Sequence, residues 1–379
     1  MSLPLRCLAM FLALREIRRG LVRFVALALA VGLLLFLVLF QQALQRGLVT
    51  AFVGAIRNQN APVVVYSVDG QRTLQGSVIV DTAATAALGV DGIGESARLS
   101  QGTFAAAVNG GSLEDTTIIA SDNPRLGWPS TLTSGRLPQA PGEAVGSDAD
   151  VSVGDRVTVA AEHAETLTVV GTAADIQLSV TPTLFTDRAT YERLVRAANP
   201  AARAVPVNVL LLAPVQGVAA ADLAERVNAV SGDLDAVTRS VAASTTPGVD
   251  QVQQSFTVIF ALYGLVVPLV IGLFFLIVTL QKRRSLTLLR AMGAPAGLLA
   301  RSLAVQVLIV TGVGVLVGAA LFAPLAGRRV GGLVLRMELR TVVIWGVVFV
   351  ALAVLGSLAS LRRVLRVDPV TAASGEGDR

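Results

Sequence analysis

The chain alternates between long stretches with no charge at all and one long stretch of mixed polarity. From Ser255 to Leu280 there is no Asp, Glu, Lys or Arg across 26 residues. As helix that run rises roughly 39 Å, more than a hydrocarbon core of about 30 Å requires. Phe24–Leu44, Ser302–Ala326 and Thr341–Leu361 are charge-free in the same way. The pattern predicts four transmembrane helices, over 24–46, 255–280, 302–326 and 341–361. Residues 47–254 mix polar and apolar positions, with Gly, Pro, Asp, Ser and Thr supplying turns, so they read as a folded extramembrane domain large enough for its own core.

Within that domain, short β-type runs fall at Val63–Val68, Val78–Asp81, Thr103–Val108, Thr116–Ala120, Arg156–Ala160, Thr166–Gly171 and Val207–Leu212. Helical patterns fall at Asp187–Ala198 and Val218–Val230. The domain therefore reads as α+β. Two alternating runs flank Ala161-Glu162-His163-Ala164-Glu165, a hairpin with a polar tip on which His163 is expected to be exposed.

The linker 281–301 carries the most legible chemistry. After Gln281-Lys282-Arg283-Arg284, Ser285 can cap a short helix that Gly293 and Pro295 end. Leu286, Leu288, Leu289 and Met292 share one broad apolar face, with Arg290 to the side. Such a helix either dips into lipid headgroups or plugs into a groove on a cytoplasmic protein. We favour the groove, because the chain has no energy source of its own. A Walker A loop needs a lysine before Ser or Thr, and the only lysine, Lys282, is followed by Arg283. The spans also lack the buried acids that proton-driven transporters use.

Composition agrees with a bilayer: 53% of the 379 residues are hydrophobic and 15% charged, and mean hydropathy is +0.68. A pI near 10.2 raises the question of nucleic acid, but the basic residues gather at the ends of apolar runs instead of forming a stripe with aromatics. Their distribution sets an orientation. Placing both termini inside puts Arg6, Arg15, Arg18, Arg19 and Arg23 of the amphipathic segment 1–23 on the inner face. The linker cations and those of the tail 362–379 join them, leaving Arg328, Arg329, Arg336 and Arg340 on the outer loop 327–340. The first span is too long for a signal-peptide core and no A-x-A site follows, so it reads as retained. Cys7 and His163 stand alone of their kinds, which leaves little material for a disulfide, a metal centre or a Ser-His-Asp triad.

Two small-residue patterns lie inside spans. Gly312, Gly314 and Gly318 have the wrong spacing for a dinucleotide loop, and no strand precedes them. Gly314 and Gly318 read as a close helix-packing face. Gly264, Pro268 and Gly272 recur every four residues, a packing face with a hinge at Pro268.

Four spans with one large external domain between the first two resemble the FtsX-like, MacB-type permeases of ABC transporters. Leu14-Arg15-Glu16-Ile17-Arg18-Arg19 is similar to that family's amino-terminal amphipathic helix. Gly135-Arg136-Leu137-Pro138, Pro141-Gly142-Glu143-Ala144-Val145, Val153-Gly154-Asp155 and Val169-Val170-Gly171 resemble the run that marks its external core domain. Leu289-Arg290-Ala291-Met292-Gly293-Ala294 resembles its coupling-helix segment, and Val367-Asp368-Pro369 its closing motif. The pattern is nearest the DevC and HrtB branch, whose members are linked to glycolipid export and haem efflux.

The resemblance implies a bacterial inner-membrane permease with a MacB periplasmic-core-type domain outside. It implies a dimer with a second copy of itself, among membrane lipids, served by two copies of a separate ABC ATPase. ATP and Mg would sit on that ATPase and no cofactor in this chain. Leu286, Leu288, Leu289, Arg290, Met292 and Gly293 would couple to it, and the chain itself would not be an enzyme. The implied mechanism is mechanotransmission, expelling an amphiphilic or lipid-like substrate. The resemblance leaves open a membrane-fusion adaptor or extracellular partner. It also leaves open a non-transporting FtsX-like regulator of cell-wall hydrolases, and a lipoprotein or haem extraction permease.

Overall fold

The structure, a computed structural model, describes residues 15, 18, 20–161, 163–202, 204–281, 296–330, 333–336 and 338–365. The chain divides into two compact units, one of residues 1–44, 255–328 and 335–379, the other of residues 45–254 and 329–334.

Four long helices account for the apolar runs: α1 (Leu21–Arg57), α2 (Val249–Gln281), α3 (Ala296–Phe322) and α4 (Leu339–Leu365). Among the described residues, three segments, Leu21–Arg57, Val249–Leu273 and Ala304–Leu325, are long and apolar enough to cross a membrane, and Leu339–Leu355 is a shorter apolar stretch. On α1, Phe24, Leu27, Val31, Leu35 and Val38 are buried while Leu21, Val25, Leu29, Leu33 and Leu37 are exposed. The exposed set recurs every four residues, one stripe of a helix that is apolar all round, as expected where the solvent is lipid. The buried stripe joins Val267 and Ile271 of α2, Val307 and Val310 of α3, and Phe349 and Ala353 of α4 in one cluster. Phe260 of α2 stacks on Trp345 of α4 with ring centroids 6.0 Å apart, and Phe36 of α1 meets Phe322 of α3 at 6.5 Å.

The second unit is built on a mixed sheet of ten strands: β1 (Val63–Ser67), β2 (Ile93–Val108), β3 (Leu113–Ser121), β4 (Ser134–Gly135), β5 (Glu143–Ser147), β6 (Arg156–Val159), β7 (Glu165–Ala173), β8 (Thr183–Asp187), β9 (Val209–Pro214) and β10 (Leu234–Thr238). Their order is β10-β1-β9-β2-β3-β8-β5-β7-β4, with β6 bridging β2 and β7. β3 runs parallel to β8 and β5 parallel to β7, while the other pairings are antiparallel. Strand β1 shows why its sequence is apolar throughout. Val64 and Tyr66 enter a core with Val53, Ile56, Leu99, Ile119 and Trp128. Val63 and Val65 enter another with Ala83, Ala84, Leu223 and Val227. A strand covered on both faces needs no polar side.

The second of those cores is closed by helices Asp81–Leu88 and Ala220–Val230. The expected strand Val78–Asp81 differs from what forms. Only Ile79 makes a bridge, to Val207, and Asp81 instead opens a helix whose Ala83, Ala84 and Ala87 are buried. Val78 and Val80 on either side of Ile79 are 50% and 57% exposed, so the run lies at the surface and extends no ladder. Helix Arg188–Ala198 begins where Asp187 accepts hydrogen bonds from the backbone N–H of Thr190 at 2.9 Å and from its hydroxyl at 2.5 Å. Strands β6 and β7 pair from Arg156↔Thr168 to Val159↔Glu165, and His163 is exposed at their turn.

Candidate functional site

The residues expected to couple to an ATPase, Leu286, Leu288, Leu289, Arg290, Met292 and Gly293, lie outside the described residues. The two small-residue faces are described, and they differ. A Cβ on Gly314 would lie 2.8 Å from Val31 Cβ and 2.9 Å from the Ala28 carbonyl oxygen; on Gly318 it would lie 2.6 Å from the Gly32 carbonyl oxygen. Gly32 answers them, its own added Cβ falling 3.0 Å from the Gly314 carbonyl oxygen. Helices α1 and α3 thus meet backbone to backbone, a geometry that small residues permit and larger ones block. Gly264 and Gly272 on α2 would meet nothing within 4 Å, and Pro268 sits between them inside the helix. Gly32 is absent from the sequence-derived set because it lacks a partner glycine four residues away.

The motif run of the domain builds backbone crossings. Gly135 has φ 76, and a Cβ there would strike the Val170 carbonyl oxygen; a Cβ on Gly171 would strike that of Arg136. Only glycine allows so close an approach at that dihedral. Eight residues on, the Glu143 carboxylate receives both terminal guanidinium nitrogens of Arg136, at 2.7 and 2.5 Å, and the backbone N–H of Gln139 at 2.8 Å and of Ala140 at 3.2 Å. The Arg136 bonds, and then those backbone donors, hold the Glu143 pKa down at about 2. In Val153-Gly154-Asp155, the Asp155 carboxylate accepts from Ser152 N at 2.7 Å and from Asn109 Nδ2 at 2.8 Å. These acids are spent on loop closure, so the motif fixes shape and presents no reactive pair.

A buried polar bridge was not legible beforehand. Asn208 is 3% exposed. Its Oδ1 accepts from Gln101 N at 2.8 Å and its Nδ2 donates to the Ser77 carbonyl at 2.8 Å. Ser77 Oγ in turn donates to the Asn208 carbonyl at 2.6 Å, so one side chain ties three segments together.

Comparison with known proteins gives a match along the whole chain to the "Putative hemin transport system permease protein HrtB" of Staphylococcus haemolyticus. The two are 22% identical over 370 residues, covering 97% of this chain and 99% of that one. The chain resembles the FtsX-like, MacB-type permeases, on the HrtB branch, from end to end. No family model matches the chain. Among solved structures, the periplasmic region of MacB from Actinobacillus actinomycetemcomitans is similar at 13% identity and TM-score 0.36, covering 50% of this chain and 94% of that one. The extracellular domain of the ABC-type transporter YknZ from Gram-positive bacteria is similar at 10% identity and TM-score 0.31, covering 47% and 100%. Superpositions this loose say nothing of ligands or partners.

Proposed function

We propose that this chain is the membrane subunit of an ABC-type export or extraction system, in which a separate ATPase supplies the energy and the extracytoplasmic domain does the moving. The observation that carries the reading is the end-to-end match to a transport permease, spanning the apolar helices and the large domain together. Two features support it. Helix α1 is continuous over 37 residues, Leu21–Arg57, and its last turns, with Val53 and Ile56, pack in the domain core. In the linker 281–301 the sequence spaces Leu286, Leu288, Leu289 and Met292 as the apolar face of a short helix would require, and an ATPase would act there. All four apolar helices span the membrane in this reading, with both termini on the ATPase side, and the permease works as a dimer.

The cargo we assign is an amphiphile, since a system without a path lined by charge inside the bilayer is suited to molecules that already partition there. The hemin in the relative's name is not carried over. Tyr66 and Tyr191 are 0% and 3% exposed in the domain and His163 stands on a hairpin tip, while Tyr263, the tyrosine near the outer end of the second apolar run, lies two turns inside it.

The test is co-reconstitution with the partner ATPase in lipid nanodiscs. Leu289→Asp is expected to abolish the permease-dependent component of ATP hydrolysis while the two proteins remain individually folded. Full stimulation by the variant would overturn the coupling assignment, and nucleotide turnover by the permease alone would overturn the division of labour.

A further inference from the structure

The second unit contains an open cavity of about 320 Å³ lined by Arg57 and Val49 of α1, by Arg239, Ser240 and Ser244 of the helix Arg239–Thr245, and by Gln253 at the start of α2. Two of these side chains are cationic and no carboxylate lines the space. Elsewhere in the domain, Arg72 pairs with Asp235 at 2.6 Å, Arg125 with Glu95 at 3.3 Å, Arg136 with Glu143 at 2.5 Å and Arg188 with Glu192 at 3.1 Å. The exposed Arg57 side chain makes no hydrogen bond or ion pair among the described residues. Arg239 uses one guanidinium nitrogen on the Gln59 carbonyl oxygen, which leaves its remaining N–H groups to the cavity. Two guanidinium groups on one small space repel each other unless an anion neutralises them, and their forks match phosphate oxygens in pairs.

We propose that this cavity binds a phosphate group, held between Arg57 and Arg239. With two guanidinium forks it offers more donors than the two oxygens of a single carboxylate can use, whereas a phosphate presents three or four acceptors. The wall formed by Val49 and Ala243 adds apolar surface that a bare ion would leave uncovered, which fits a phosphate carried on a lipid-like molecule. The assignment goes beyond the export reading and does not depend on it, because binding requires neither ATPase nor transport.

The experiment uses the full chain, purified in neutral detergent and phosphate-free buffer, and titrates it calorimetrically with dihexanoyl phosphatidate, inorganic phosphate and dihexanoylglycerol. Phosphatidate is expected to bind and dihexanoylglycerol, which lacks the phosphate, is not. Arg57→Gln, which has no internal bond to lose, is expected to weaken phosphatidate roughly tenfold or more, the scale of a lost charge-assisted hydrogen bond. Arg239→Gln is expected to act in the same direction, and Arg98→Gln, exposed elsewhere on the domain, to leave binding unchanged. Binding of phosphatidate alone assigns the site to a lipid headgroup. Equal binding of inorganic phosphate assigns it to the free ion, and both results support the phosphate site. Absence of binding by either phosphate probe, or binding that Arg57→Gln leaves intact in a chain with unchanged circular dichroism, overturns it.

Discussion

A Cβ placed on Gly318 would stand 2.6 Å from the carbonyl oxygen of Gly32. At that distance something must shift, and the atom in the way is backbone. Gly318→Ala is therefore expected to destabilise the helical unit by about 1–3 kcal/mol through overpacking. Gly272→Ala, where the new methyl meets nothing within 4 Å, is expected to stay within about 0.5 kcal/mol. Thermal denaturation of the detergent-purified chain separates the two. Equal midpoints would mean that α1 and α3 do not meet at these glycines.

Glu143 makes the domain sensitive to acid in a defined window. Its folded pKa of about 2 lies below the ordinary value of 4.5. The Arg136 clamp therefore contributes fully above pH 4.5 and is lost as pH falls from there toward 2. Hydrogen exchange at Gln139 and Ala140, whose N–H groups the carboxylate holds, is expected to lose protection over that window. Glu143→Gln should show the low-pH behaviour at pH 7. Protection that is flat from pH 5 to 2.5 would exclude the clamp.

Asn208 supplies a stability test away from any loop. Asn208→Ala leaves Gln101 N and the Ser77 carbonyl without their partner. The expected cost is about 1–3 kcal/mol for each group left unpaired. Limited proteolysis of the full chain reads it, through faster cleavage within residues 47–254. A cleavage rate like that of the parent chain would show that water replaces the side chain without loss.

The capping contact of Asp187 with Thr190 leads to a smaller expectation. Asp187→Ala should cost about 1 kcal/mol and Asp187→Asn much less, since asparagine caps nearly as well. Thermal midpoints of the two variants test the difference, and identical losses would assign the residue's role to its charge instead.

Several domain elements were legible because their signal is local. The run Val63–Val68 reads as a strand from β-branched residues alone, and β1 forms at Val63–Ser67. Asp187 announces a helix start, and Arg188–Ala198 follows it. Elements set by distant partners were not legible. Strand β2 extends from Ile93, well before the expected Thr103, through Gly, Glu, Ser and Arg. Those residues become strand because β9 pairs with one end and β3 with the other. Strand β5, Glu-Ala-Val-Gly-Ser, has little β character, yet it lies between β7 and β8. The cavity of Arg57 and Arg239 was invisible for the same reason: the two arginines are 182 positions apart in the chain.

The sequence by itself determined where the apolar helices lie, because absence of charge over enough residues to cross a bilayer needs no partner to be recognised. It could not assign the faces of α1. Leu27 and Leu35 are 1% and 0% exposed, while Leu29 and Leu33 between them are 53% and 54% exposed. All four are leucine, since lipid and protein interior are about equally apolar and hydrophobicity does not distinguish them. Only the tertiary structure decided which side of α1 meets α3, through shape: the helices approach where Gly32, Gly314 and Gly318 leave room for two backbones.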